Sequence, residues 1–308
     1  MFNYLVRRVL TSILVLFGVS MLVFSVIHLV PGDVTMAILG RQKVSPERIA
    51  ELREQLGLND PLYVQYGRYL NNALHGDLGT SIRNNLPVSK SIAEQLPSTV
   101  ALAFSALLVA LSIGGVLGMV AALQHGTWMD TLVMGLSVSG LSIPTFWMGL
   151  LLILLFSVKL GLFPSMSNDS TPVELFLPAL TLGLPEAAVV ARMVRASMLD
   201  VLGKEYITTA RAKGLPQRTV ILKHALRNAL IPVVTFLGLQ MAYLLGGATI
   251  VETMFARQGI GRLAVQSIFN RDYPMVQGVV LVTATIYVLI NTLTDFTYVL
   301  VNPKIRLK

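Results

Sequence analysis

The chain of 308 residues is 54% hydrophobic and only 13% charged, with a mean hydropathy of +0.68, which excludes an ordinary water-soluble enzyme. Its net charge of +8 comes without basic runs interleaved with stacking aromatics, so nucleic acid is not the expected partner. No cysteine is present, which removes disulfide scaffolds, thiolate metal sites and cysteine nucleophiles together.

The apolar residues gather into runs near the ~20 residues that carry a helix across a bilayer. Five runs are free of formal charge: residues 9–30, 97–123, 131–158, 228–251 and 274–294. A weaker sixth covers 175–198, interrupted by Pro178, Pro185 and Glu186 and ending on Arg192 and Arg195. Proline is tolerated in lipid where neighbouring helices or water satisfy the freed carbonyls. The expected fold is therefore all-α, with six membrane spans and both termini on one side. The first run exceeds a typical signal-peptide core and is followed by Val30-Pro31-Gly32-Asp33 rather than a small-x-small cleavage site, so it reads as a retained anchor.

Thirteen Lys and Arg residues lie before the first span, between Arg192 and Arg227, and after the last span, against four in the opposite short segments, Lys159, Arg257, Arg262 and Arg271. The positive-inside rule then predicts cytoplasmic termini, and the basic pI of 9.8 records topology. The segment 31–96 reads as a small helical extracytoplasmic domain, with seven basic and seven acidic residues. Ser45 and Pro46 start one helix that Gly57 stops. Asp60 and Pro61 start another, with Leu62, Tyr66, Tyr69 and Ala73 at helical spacing and Gly76 and Gly79 beyond its end. Either a structural cap or a docking surface for an external partner fits this pattern.

Residues 97–308 read as a five-helix core that includes a basic cytoplasmic loop, 199–230. Within it residues 204–213 form a short helix ended by Gly214, and Pro216 bars continuation. Tyr206, Ala210 and Gly214 recur four apart, offering one aromatic and two small residues to a neighbour. A second amphipathic piece, 218–227, sets Val220, Ile221 and Ala225 against Arg218, Lys223 and Arg227. A loop lying on the membrane and an element that docks another protein both fit.

Three features bear on a path through the membrane. Glu186 is a carboxylate deep within a span, where desolvation costs ~2.5 kcal/mol or more; it either bonds locally beside Pro185 or lines a path favouring cationic groups. Gly238, Ala242 and Gly246 repeat the spacing of close helix packing, as do Gly114 and Gly118. Gln240 and Tyr243 then fall on other faces, where a solute can meet them. The thirteen methionines form no metal track, and no metal or cofactor is expected.

The run Glu205-Tyr206-Ile207-Thr208-Thr209-Ala210-Arg211-Ala212-Lys213-Gly214, followed by His224-Ala225-Leu226-Arg227-Asn228-Ala229-Leu230-Ile231-Pro232, resembles the EAA loop of ABC-transporter permeases. More narrowly, it is similar to the B-type permeases of dipeptide, oligopeptide, glutathione and nickel importers. The likeness extends through Val30-Pro31-Gly32-Asp33, Gly57-Leu58-Asn59-Asp60-Pro61-Leu62, Arg271-Asp272-Tyr273-Pro274 and Asn302-Pro303-Lys304-Ile305-Arg306. It implies a type I ABC importer fold in a bacterial inner membrane, and partnership with a homologous second permease, two cytoplasmic ATPase subunits and an extracytoplasmic solute-binding protein. It also implies that Glu205, Tyr206, Thr209, Ala210, Arg211, Ala212, Lys213 and Gly214 couple the chain to the ATPase. The chain itself carries no Gly-x-x-x-x-Gly-Lys-[Ser/Thr] phosphate loop, zinc helix or nucleophile elbow. An ion-coupled secondary transporter is the alternative, but neither a second repeat nor a series of buried carboxylates accompanies Glu186.

Overall fold

The computed structural model describes residues 2–29, 59–167 and 171–301. The helix expected over 45–57 and the motifs at 30–33 and 302–306 lie outside them. Among the described residues there is no β-strand, only one isolated bridge between Thr80 and Pro87. The chain divides into two compact units, one from Met1–Pro97 with Gly259–Thr292 and one from Ser98–Gln258 with the end of the last helix.

In the first unit, α1 (Phe2–Leu29) and α2 (Leu62–Leu74) are joined through aromatic contacts. Phe17 and Phe24 meet the Tyr66 ring edge-on at 5.9 and 5.3 Å between centroids. The Ser20 and Tyr66 hydroxyls lie 2.8 Å apart. Burial, and then the neighbouring Tyr66, pushes the Tyr69 phenol up to about 12. The unit also holds the start of α3 (Val88–Leu123), the short helix α9 (Ile260–Phe269) and most of α10 (Tyr273–Val301). Val88, Ile92, Ile260, Met275 and Val279 form its buried core. Close approach at Gly278 admits no side chain, because a Cβ there falls 2.3 Å from Val88 Cγ1.

The second unit is organised around α6 (Pro172–Leu202), which the sequence marks as the weakest span and which is the most deeply buried. Thr171 caps it by accepting the Glu174 amide at 3.4 Å, and Pro172 occupies its first turn. Pro178 and Pro185 leave it continuous over 31 residues. Thr181, whose carbonyl Pro185 frees, is wholly buried within the protein. Against it pack α3, α4 (Trp128–Ser142), α5 (Thr145–Lys159) and the long α8, made of Gln217–Thr219, a wide π-type stretch Val220–Leu226 and Arg227–Met254.

Two expectations change. The run 131–158 is not one straight span: α4 and α5 meet at 106°. Pro144 disfavours helical geometry at Ile143, whose φ and ψ are −83° and 122°, and the chain turns there. The piece 218–227 is not a separate element lying on the membrane. It is the first turns of α8, with Val220 and Ala225 wholly buried and Arg218, Lys223 and Arg227 exposed.

At the α3–α6 contact the two backbones come very close. A Cβ on Gly114 falls 2.4 Å from the Ala187 carbonyl oxygen, and one on Gly118 falls 2.4 Å from that of Ala191. Across the same seam Gly183 faces the Ala106 carbonyl at 2.7 Å. The packing role expected for Gly114 and Gly118 follows directly. Of the other stripe, Gly238 faces Thr294, Ala242 is buried and Gly246 has open space. Gly114→Val is expected to destabilise the protein by about 2 kcal/mol or more through overpacking. Gly115→Val meets nothing within 4 Å and serves as the control. Thermal unfolding in detergent should show a lowered midpoint for the first and little change for the second.

Candidate functional site

Between the two central helices of the second unit lies α7 (Glu205–Ala212), an exposed eight-residue helix. Its start has no side-chain cap, but Glu205 in the first turn complements the positive helix end, and Arg211 in the last turn complements the negative one. Its end is a Schellman arrangement: the Gly214 amide donates to the Arg211 carbonyl at 2.9 Å and the Leu215 amide to the Ala210 carbonyl at 3.4 Å. Gly214 sits at φ +73°, in the left-handed region that favours glycine.

Ile207 is fully buried and Ala210 is 7% exposed, both against Val201, Met198, Val220 and Ala225. Glu205, Tyr206, Thr209, Arg211, Ala212, Lys213 and Gly214 face outward. Tyr206, Ala210 and Gly214 therefore do not share one exposed stripe, since Ala210 is turned into the core beside Ile207. Tyr206 is 43% exposed, with its hydroxyl accepting from Asn228 Nδ2 at 3.0 Å. That bond ties the surface of α7 to the first turns of α8.

Behind α7, Arg195 near the end of α6 grips Asp130 at the start of α4 through two parallel bonds, Nε to Oδ1 at 2.6 Å and a terminal nitrogen to Oδ2 at 2.7 Å. The Gly126 amide donates to the same Oδ2 at 3.1 Å, and His125 Nδ1 lies 3.2 Å from it. Asp130 is buried, so its charge depends on these donors. In the sequence, Arg195 counted only as a topological charge and Asp130 not at all. The available signal was an acid in the first turn of one apolar helix and an arginine in the last turns of another.

Deeper in the unit, Glu186 is 8% exposed, with the Gln240 side chain close to its carboxyl. Glu186 Oε2 meets no donor among the described residues. The structure thus brings Glu186 and Gln240 together between α6 and α8, with Gln240 nearer the surface and Tyr243, 64% exposed, three residues on along the same helix. Tyr243 has no hydrogen bond among the described residues.

A second buried polar cluster was not foreseen. Thr99 at the start of this unit donates to Glu252 Oε1 at 2.5 Å, and Arg257, 1% exposed, donates to Ser167 Oγ at 2.8 Å and to the Ser98 carbonyl at 3.3 Å. Burial lowers the Arg257 guanidinium from its usual value, and the Glu252 and Glu174 carboxylates oppose that shift. Ser167 also closes onto the end of α8 by donating its amide to the Phe255 carbonyl at 2.8 Å. No group of three or more metal-ligating side chains occurs among the described residues.

Asp130→Asn should lower the thermal midpoint, because Arg195 loses a charged two-point acceptor while staying partly buried. The double variant Asp130→Asn/Arg195→Gln should lose less than the sum of the two single changes, which a double-mutant cycle in detergent measures.

Comparison with known proteins gives this geometry its context. Residues 114–307 match the family described as "Binding-protein-dependent transport system inner membrane component", and residues 1–103 match its N-terminal companion family. The chain is 45% identical over 308 residues, all of both chains, to the glutathione transport system permease protein GsiC of Escherichia coli strain K12. The corresponding permease of Salmonella paratyphi A is likewise 45% identical over its whole length. Among solved structures, an inward-facing MetNI methionine ABC transporter chain aligns with a TM-score of 0.56 at 20% identity, covering 68% of this chain and 96% of that one. An amino acid ABC transporter with histidines aligns with a TM-score of 0.53 at 16% identity, covering 68% and 93%. At such identities these two establish the shared helical fold.

Proposed function

We propose, for a chain that belongs to the family of inner membrane components of binding-protein-dependent transport systems, a role as the permease that forms half of the path for glutathione or another short peptide. It is a multi-pass membrane permease of an ATP-driven importer and not an enzyme, hydrolysis residing on separate ATPase subunits. The family implies further subunits in general: a second permease, ATPase subunits and a binding protein. Our finer reading is one homologous second permease, two cytoplasmic ATPase subunits, one extracytoplasmic solute-binding protein, and both termini in the cytoplasm. The charge bias of the loops supports that orientation. The substrate class rests on the glutathione permeases that share 45% of the sequence over the full chain.

The observation that carries the mechanism is α7 itself. It is short, exposed on one face, and seated on the other, through Ile207 and Ala210, in a buried cluster that also holds Met198 and Val201 of α6 and Val220 and Ala225 of α8. A partner that pulls Glu205, Tyr206, Thr209, Arg211, Ala212, Lys213 and Gly214 acts on both helices at once. Those helices carry Glu186, Gln240 and Tyr243, so movement at the cytoplasmic face reaches the residues we assign to the path, as in a rigid-body transition between two access states. Gln240 and Tyr243 present the solute-facing surface, and Glu186 stands close to Gln240.

Reconstituted with its partner subunits, the chain should support uptake that needs both ATP and the binding protein. Uptake driven by an ion gradient without ATP overturns the reading. Gly214→Val should reduce co-purified ATPase or uncouple hydrolysis from uptake, because the φ of +73° strains a β-branched residue. The position is otherwise open, so the defect is confined to the helix end. Normal hydrolysis and uptake in this variant and in Glu205→Lys would remove α7 from the coupling role.

Glu186→Gln should alter uptake of cationic relative to anionic substrates while ATPase association stays intact. Equal effects on every substrate would return Glu186 to a purely local bond with Gln240.

A further inference from the structure

The helix α2 meets α1 with one apolar side and leaves a second one uncovered. At helical spacing Leu62, Tyr66, Tyr69 and Ala73 share a side, and from it the Tyr66 and Tyr69 rings reach Phe17, Ser20 and Phe24 of α1. Tyr63, Gly67, Leu70 and Leu74 form the next strip round the helix, with Tyr63 78% and Leu74 84% exposed. Polar residues take the rest, interrupted by Val64 alone: Gln65, Arg68, Asn71 and Asn72. Asp60 draws that polar side together, its carboxylate accepting from Arg68 at 2.6 Å and its carbonyl from Gln65 Nε2 at 2.8 Å. No residue of α2 is buried, so α1 covers only part of its apolar surface.

The depth of the uncovered strip follows from α1 and α10, which run side by side in the first unit. The Ser12 and Thr292 hydroxyls lie 3.1 Å apart, and Gln277 Nε2 donates to the Val23 carbonyl at 3.1 Å. Tyr273 and Val276, where the span of α10 begins, line one cavity with Val19, Leu22 and Val23 of α1. The apolar span of α1 covers Val6–Ser25. Tyr66 and Tyr69 therefore touch α1 in the last part of its span, level with the start of α10. At that level a helix does not stand clear of the bilayer but lies where the two spans leave the hydrocarbon.

We infer that α2 is an interfacial membrane helix, with the strip of Tyr63, Leu70 and Leu74 seated at the boundary between phospholipid headgroups and acyl chains. The inference rests on the membrane-spanning reading of α1 and α10 and not on what the permease carries. Beside α2, α1 exposes Leu14, Met21 and Leu22 at 71%, 55% and 69%, so the strip continues a surface that already faces lipid. Tyrosine suits the headgroup level, where its ring is in apolar surroundings and its hydroxyl in water. Arg68 is the one charged residue of the helix and is paired with Asp60. The seat thus depends on apolar contact and not on anionic headgroups. A soluble partner reaching this strip would first have to displace lipid from it.

The chain has no cysteine, so a single spin label reports one chosen position. The test uses the complete importer, with its partner subunits made free of cysteine, in phosphatidylcholine vesicles. Labels are placed at Tyr63→Cys and Leu74→Cys, at Asn71→Cys on the polar side, and at Leu14→Cys as the reference within the membrane. Collisions with oxygen, which concentrates in lipid, are compared with collisions with a water-soluble nickel chelate. The ratio of oxygen to nickel accessibility at Tyr63→Cys and Leu74→Cys should exceed that at Asn71→Cys severalfold, and added phosphatidylglycerol should leave it unchanged. Strong nickel collisions at both strip positions place the strip in water and overturn the inference. Weak collisions with both reagents place another subunit over it and overturn it equally. A ratio that rises only with phosphatidylglycerol overturns the apolar seat. If nickel reaches Leu14→Cys as well, the membrane-spanning reading of α1 fails and the depth assigned to α2 falls with it.

Discussion

The contact between α3 and α6 is the constraint on which the second unit depends. Lipid tails are as apolar as leucine, so burying apolar surface draws two membrane helices together far less than it does in water, and packing has to supply the attraction. Here the backbone of α6 lies against α3 so closely that the Ala187 and Ala191 carbonyls occupy the space where side chains of Gly114 and Gly118 would stand. Only glycine permits that distance. Once α6 is fixed there, its remaining faces are the walls against which α4, α5 and α8 pack, and its last turns become the anchorage for Asp130 and for α7.

The buried polar groups divide according to what holds them. Asp130 and the Glu252–Arg257 cluster have donors and acceptors drawn from separate parts of the chain, so each ties elements that sequence distance separates. Breaking one partner leaves a charge in low dielectric, which makes such pairs costly to open and suits them to joints that stay closed. Glu186 differs. Gln240 lies close to its carboxyl, and one of its oxygens meets no donor among the described residues, which is a weak tether between α6 and α8. If those helices shift against each other as access alternates, this contact opens at lower cost than the ion pairs.

Much of the fold was legible in the sequence because a bilayer imposes a length and an apolarity on each crossing. The sequence was less telling where a neighbour rather than lipid sets the rules. Pro178, Pro185 and Glu186 weaken α6 as a lipid-facing helix, but α6 is surrounded by protein and is the best buried of all. The run 131–158 passed a test based on charge alone, although Ile143-Pro144 carried the steric signal of a break. At α7, spacing placed Tyr206 and Ala210 on one face but could not say which side met the core. Ile207, the one large aliphatic residue of α7, carried that information. The Asp130–Arg195 and Thr99–Glu252 pairs join residues far apart in sequence, and no local pattern announces them.

The small size of α7 bears directly on how force can pass through it. Eight residues do not sustain a helix in water without outside contacts, since nucleation is unfavourable and few bonds repay it. Its Schellman end and first-turn carboxylate help, but the buried side is only Ile207 and Ala210, resting on Val201 and Met198 from α6 and on Val220 and Ala225 from α8. The helix therefore keeps its shape only while both of those ends stay in place around it. A displacement of its outer face must then move α6 and α8 together or dissolve the helix. The first course shifts Glu186 and Gln240 with their helices, and the α3–α6 seam carries the movement onward to α3.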